Sequence, residues 1–281
     1  MKKLTLAYFG TPDFSARLLE KLIIDKLVDI KFVLTQPDKP VGRKQILTPS
    51  PVKLMAEKYK IKTITSLKID SVDLVLLYAY GKIIPEEILN LPKFGFWNIH
   101  PSLLPKYRGP SPIAFPLING DKKTGMTLMQ MDKELDHGPI IDQQEINIEN
   151  GDKRPDLENK LTDLGYELFK KNLLKLTTDN LPSTPQNHSL ATFTHLLKKN
   201  DGYLDWKSLT QPEDPEKIYQ LFRGLFPWPG IWTKININHQ EKRLKILDLR
   251  LQDHQLTITQ VQLEGKKPVD FATFKKAYLP A

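Results

Sequence analysis

Asn98 and His100 stand two positions apart at the end of the apolar run "FWNIH", and "PSLLPKYRG" follows at once. An amide offers a neutral N–H donor, and an imidazole donates or accepts a proton near neutral pH. Farther along, Asp136 adds a carboxylate, a group that can fix an imidazole tautomer and stabilise its charged form. No serine or cysteine nucleophile shares the motif in a recognised activating context. The three groups therefore suit acyl transfer to an external nucleophile. The amide and the imidazole would stabilise the oxyanion of a tetrahedral intermediate.

Each residue taken alone carries less. A single histidine after a strand more often satisfies a buried hydrogen bond. Asp136, before Gly138 and Pro139, reads equally as a turn residue. Ser102 lacks the Gly-x-Ser-x-Gly elbow of a strand-to-helix nucleophile. His100, Asp136 and His137 lack a recognised metal-ligand pattern such as His-Glu-x-x-His. Spacing by itself stops at a possible acyl-transfer site.

The elements that must position these residues alternate. A buried strand over 3–10 runs into the turn Gly10-Thr11-Pro12-Asp13 and a helix over 14–26, with Leu18, Leu19, Leu22 and Ile23 at helical spacing. Further strands are expected at 30–35, 61–64, 74–78 and 96–100, with a helix over 52–59 and a long Pro- and Lys-rich loop over 36–53. A helix at 113–118, strands at 124–130 and 140–148, and an amphipathic helix at 156–176 follow. This alternation predicts an α/β fold, a Rossmann-like, mostly parallel sheet with helices on both faces. Ligands in such sheets bind at the carboxyl ends of the strands, where Asn98, His100 and the Tyr80-Gly81 turn fall. The domains expected are a catalytic one at 1–179, a linker at 180–202 rich in Pro, Ser, Asn and Thr, and a small C-terminal one at 203–281. In the last, "GIWTKINI", "KRLKILDLRLQ" and "QLTITQVQLEG" alternate polar and apolar residues, as antiparallel strands of a small OB-like barrel do.

The bulk composition sets limits on these readings. With no cysteine in 281 residues, disulfides and thiolate-held metals are excluded, and a reducing cytoplasm is the expected location. The opening residues read as a strand rather than a leader, and no apolar run is long enough to span a bilayer. Net charge is +8, and residues 1–70 hold 14 basic against 7 acidic side chains. An excess gathered in one region suggests a polyanionic partner, although lysines also serve solubility.

"FWNIHPSLLPKYRGPSPI" together with "GMTLMQMDKELDHGPII" resembles the folate-dependent formyltransferases, and most of all the branch that acts on methionyl-tRNA. "AYFGTPDFS", "LTQPDKPVGRKQILTPSPVK", "AYGKIIP", "DGYLDW" and "FRGLFPWPGIW" extend the likeness over essentially the whole chain. The resemblance implies transfer of a formyl group from 10-formyltetrahydrofolate, as co-substrate, to the α-amino group of methionyl-initiator tRNA, with no metal required. It implies that Asn98, His100 and Asp136 are catalytic and that Ser102, Leu103, Leu104 and Pro105 bind the folate. It also places Arg43, with Lys39 and Lys44, on the tRNA acceptor stem. A monomer is expected. The alternative acceptor within the family is a nucleotide-linked amino sugar, against which the basic loop speaks.

The C-terminal domain departs from that pattern. Between "KRLKILDLRLQ" and "QLTITQVQLEG" there is room only for a tight turn, so the barrel should be reduced to about three or four strands, below the five of a full OB fold. Trp206, Trp228 and Trp232 could stack bases or pack a small core; packing is the expectation, since aromatics dominate core burial.

Overall fold

Leu6, Ala7, Tyr8 and Phe9 are all fully buried, and the strand they form, β1 (Thr5–Gly10), lies inside a seven-stranded sheet. The computed structural model describes residues 3–42, 44–67, 69, 71–176 and 181–279. After β1 come α1 (Asp13–Asp25), β2 (Asp29–Leu34), β3 (Lys39–Val41), β4 (Ile46–Thr48), α2 (Pro51–Lys58), β5 (Thr63–Ile64) and β6 (Leu74–Tyr78). Next are α3 (Glu86–Leu89), β7 (Phe96–His100), α4 (Ala114–Asn119), β8 (Lys123–Gln130), β9 (Ile140–Asn147) and α5 (Arg154–Leu176). The chain ends with α6 (Trp206–Thr210), α7 (Pro215–Leu225), β10 (Ile231–Ile237), β11 (Gln240–Gln252), β12 (Gln255–Leu263), β13 (Val269–Asp270) and α8 (Phe271–Tyr278).

The chain divides into two compact units. The first takes the residues up to Pro112, then Thr124–Ile146 and Glu158–Thr194; the second takes Ile113–Lys123, Asn147–Leu157 and the residues from His195 on. In the first unit the sheet order is β5-β2-β1-β6-β7-β8-β9. β1, β2, β5, β6 and β7 pair in parallel, and β8 joins β7 antiparallel. Side chains alternate across these strands. Ala7, Phe9, Val75, Leu77 and Phe96 fall in one apolar cluster, with Phe9 and Phe96 meeting edge to face at 5.6 Å. Trp97 and Ile99 project to the other face, where Trp97 meets Phe169 of α5 and Ile99 lies against Gly165. Asn98 and His100 thus share a face with Phe96 and cannot be drawn into the packing under α5.

Residues 36–53 contain the β3–β4 hairpin where the sequence reads as a loop. Three-residue strands are too short to show a period. The hairpin bends at Gly42 and Gln45, both at positive φ (+73° and +49°). All six of its strand residues are exposed. Arg43 lies outside the described residues. Behind the hairpin, Ser50 caps α2 by accepting from Lys53 N.

The second unit carries an antiparallel sheet in the order β10-β11-β12-β13, four strands within the three or four expected. β11 and β12 turn at Asp253-His254, both at positive φ, between the paired Gln252 and Gln255. That is the tight turn the sequence leaves room for. Phe222, Leu225, Ile231, Leu244, Val261 and Phe274 centre its apolar core. Trp206 packs against that core, and Trp232 is tied by its Nε1–H to Lys199 O (2.8 Å) beside Tyr203; Trp228 is exposed. No described helix is long and apolar enough to cross a membrane.

Candidate active site

β7 is buried along its whole length and delivers Asn98 and His100 to the carboxyl edge of the sheet. Both are nearly inaccessible, at 6% and 4% exposure. β8 pairs with β7 in a register that sets Met129 opposite Asn98, and Met131 N–H donates to Phe96 O (2.8 Å). The chain leaving β8 therefore starts beside the two residues and returns as β9. At its bend Gly138 passes so close to Gln130 that a Cβ would lie 2.0 Å from the Gln130 carbonyl oxygen. Asp136 sits in this bend at φ +50°, a left-handed conformation that aspartate tolerates better than most residues.

The structure brings the three expected residues together. Asn98 Nδ2 donates to Asp136 Oδ1 at 3.3 Å, and His100 Nδ1 lies 3.5 Å from the same oxygen. A fourth group joins them that the sequence did not mark: Gly109 N–H donates to Asp136 Oδ2 at 2.7 Å. Gly109 has φ +107°, and a Cβ there would come within 2.8 Å of Thr194 O, so both conformation and space call for glycine. The other imidazole nitrogen, His100 Nε2, lies 3.0 Å from Tyr107 O. A carbonyl only accepts, so Nε2 carries the proton and Nδ1 is the nitrogen that faces Asp136. Tyr107 itself is left-handed (φ +61°), held there by its N–H donating to Thr192 Oγ1 (2.9 Å).

The segment expected to bind folate is tightly tied. Ser102 is fully buried and its hydroxyl donates to Lys106 O at 2.6 Å. Leu104 is also buried, which leaves Leu103 and Pro105 as the partly accessible side chains of the four. Thr127 of β8 shapes this bend. Its hydroxyl donates to Ser102 O (2.6 Å) and accepts from Leu104 N (3.1 Å) and Gln143 Nε2 (2.7 Å). Gln143 also donates to Leu104 O (2.8 Å). Just past the end of β6, burial pushes the Tyr80 hydroxyl above the ordinary phenol range. The Tyr80 carbonyl accepts from Thr11 Oγ1 and Gln36 Nε2, which binds together the loops after β1, β2 and β6.

The arginine of "KYRG" is not offered to solvent. Arg108 is buried, and its guanidinium donates to Gln186 Oε1 (2.7 Å) and His188 Nδ1 (2.9 Å). Residues 184–194, within the stretch that reads as a linker, pack onto the first unit. Arg108 N–H donates to Thr192 O (2.9 Å), Thr194 N–H to Arg108 O (2.7 Å), and Thr184 exchanges two 2.8 Å backbone bonds with Ile140. A polar, aperiodic segment shows nothing of such pairing in its own sequence, because the partners are about 44 to 86 residues away. Of the tRNA candidates, Lys39 is exposed on β3 and Lys44 is exposed in the hairpin bend. Lys53, at the hairpin's base, is paired with Asp38 at 2.8 Å.

Residues 2–173 match the family model described as Formyl transferase, and residues 196–255 match Formyl transferase, C-terminal domain. The methionyl-tRNA formyltransferase of Staphylococcus epidermidis is 42% identical over 252 residues, spanning 86% of this chain and 78% of that protein. The methionyl-tRNA formyltransferase of Caldicellulosiruptor saccharolyticus is 36% identical, spanning 97% and 96%. Among solved structures, an N-formyltransferase from Helicobacter canadensis, in complex with folinic acid and dTDP-3-aminofucose, superposes with a TM-score of 0.65. It covers 96% of this chain and 99% of its own at 22% identity, a likeness of fold.

Proposed function

The chain belongs to the formyl transferase family, and on that premise we propose that Asn98, His100 and Asp136 carry out its reaction. The reaction is transfer of the formyl group of 10-formyltetrahydrofolate, a co-substrate, to the α-amino group of methionyl-initiator tRNA. The observation that carries the residue assignment is the convergence of Asn98 Nδ2, His100 Nδ1 and Gly109 N on one carboxylate, its side chain 10% exposed, at the carboxyl edge of the sheet.

The donor set fits the chemistry. The acceptor amine has a pKa of about 8 and is partly neutral at pH 7, so it can attack without a metal to activate it. Attack forms the new C–N bond and places negative charge on the formyl oxygen. Asn98 commits one amide proton to Asp136; its second N–H is the donor for that oxygen. His100 keeps its Nε2 proton on Tyr107 O and offers Nδ1 to the proton leaving the amine. The imidazolium that forms lies between two acceptors, Tyr107 O and Asp136. Collapse breaks the bond to the folate nitrogen, and the same proton returns to that nitrogen. Leu103 and Pro105, the partly accessible side chains of 102–105, are assigned to the folate, and the bonds through Thr127 support the segment's shape.

Lys39, Arg43 and Lys44 are assigned to the tRNA. Lys39 and Lys44 are exposed on the hairpin, which leaves them open to phosphates. Both substrates are cytoplasmic, which is the location proposed, with the single chain as the working unit.

The test is formylation of methionyl-initiator tRNA with 10-formyltetrahydrofolate, by wild type and His100→Ala. Wild-type transfer with the variant silent, and folate affinity retained, upholds the assignment. Near-normal turnover by His100→Ala sinks it.

A further inference from the structure

Asp136 is held twice over, and the second hold comes from a residue the reaction does not touch. Its carboxylate is fixed by Asn98 and Gly109; the main chain that carries it is fixed by Gln186. Gln186 is 5% exposed. Its Nε2 donates to Asp136 O at 2.9 Å and to Gly138 O at 2.8 Å, which uses both amide protons on the one bend. Its Oε1 accepts from Arg108 at 2.7 Å. Arg108 adjoins Gly109, the donor to Asp136 Oδ2, and stands one residue from Tyr107, the acceptor for His100. One side chain therefore joins the bend that carries Asp136 to the loop that orients both Asp136 and His100.

We infer that Gln186 is a positioning residue for the formyl transfer, acting through Asp136. The inference rests on the reading of Asp136 given above. Glutamine suits the place for a definite reason. The two carbonyls need two donors, and the guanidinium needs an acceptor. Glutamate supplies the acceptor and no donors; methionine, of similar length, supplies neither. A left-handed aspartate in a bend has other backbone states close in energy. Without the two N–H bonds the carboxylate shifts relative to Asn98 and His100. Misplacement by about 1 Å is enough to slow a positioned reaction by about 100-fold.

Gln186→Met and Gln186→Glu test this in the full chain. The expected result is a kcat about 10- to 100-fold below wild type with KM for both substrates within about twofold. Gln186→Glu keeps a partner for Arg108 and serves where the methionine variant does not fold. The deciding readout is a double-mutant cycle with Asp136→Asn, measured by single turnover with enzyme in excess. If Gln186 acts through Asp136, its substitution has little further effect on the Asp136→Asn background. An equal fold-loss on both backgrounds overturns the inference, as does wild-type kcat, or a change in KM alone. Should the Asp136→Asn rate fall below detection, the His100 ring resonances in NMR of the free enzyme decide. Movement in Gln186→Met toward the positions seen in Asp136→Asn supports the inference; unmoved resonances overturn it. Wild-type turnover by Asp136→Asn alone would instead remove the reading of Asp136, and this inference with it.

Discussion

The carboxyl edge of β7 and the β3–β4 hairpin solve opposite problems within one unit. At the edge, Asn98, His100, Arg108 and Gln186 are each under 10% exposed, and each has a bonded partner. In the hairpin the apolar Val41, Ile46 and Leu47 are between 55% and 65% exposed, and Lys39 and Lys44 stand in solvent. The difference matches the role proposed for each region. Stabilising a developing oxyanion needs dipoles already in place where water is scarce, since reorganising them would cost part of the gain. Binding a polyanion needs charge that releases counterions, and long exposed lysines supply that without a fixed geometry. On the proposed reading, the buried polar cluster serves the chemistry and the exposed basic hairpin serves the partner.

Five substitutions break or sharpen this contrast, and the largest effects belong to the edge. Asp136→Asn should lower kcat by about 100- to 1,000-fold or more, on the scale of losing a preorganised transition-state donor. Steady-state kinetics beside a wild-type unfolding curve would check it. Full activity would return Asp136 to the status of a turn residue. Thr127→Val should cost about 1–3 kcal/mol of stability, because two buried backbone groups and the partly buried Gln143 amide lose their shared hydroxyl. Urea unfolding reads that cost, and a raised KM for the folate should accompany it; an unchanged midpoint would mean that these groups find other partners.

The hairpin should respond more gently and in a different quantity. Lys39→Ala or Lys44→Ala should raise KM for tRNA and leave folate binding and kcat alone. Each lost phosphate contact should reduce the slope of log affinity against log salt by about 1. Salt titration of tRNA binding measures it, and an unchanged slope would take that lysine off the tRNA. Smallest of all is Lys53→Met at the hairpin's base. The hydrogen bond to Asp38 holds the Lys53 ammonium above the ordinary lysine range. A raised folded-state pKa stabilises fully below the unfolded value, about 10.4, and its contribution fades as pH rises through the folded value. The small Tm gap between wild type and variant should close there; a gap constant with pH would place its cause in packing rather than charge.

Much of the first unit was legible because its signals are local. Alternation of strand and helix, the turn at Gly10-Thr11-Pro12-Asp13 and the two-residue spacing of Asn98 and His100 all lie within a few residues of one another. Three of the four strands of the second unit followed from their polar and apolar alternation and from the lack of room between β11 and β12; β13, two residues long, leaves no alternation to read. The β3–β4 hairpin escaped because three exposed residues leave no period to read. The polar run read as a linker escaped for a related reason: its order comes from bonds to Arg108 and Ile140, far away in sequence.

By itself, then, the sequence determined the sheet, the family likeness and the placing of Asn98 and His100 two positions apart at a strand's carboxyl end, because strand geometry ties neighbours in sequence to neighbours in space. Only the tertiary structure decided which imidazole nitrogen faces Asp136 and that Gly109 N–H holds its other oxygen. It also decided that Arg108 and Gln186 lock the bend from behind. Those contacts join residues 27 to 78 positions apart. They form because a largely shielded carboxylate, a buried guanidinium and the two carbonyls of the bend must each find a partner where little water reaches.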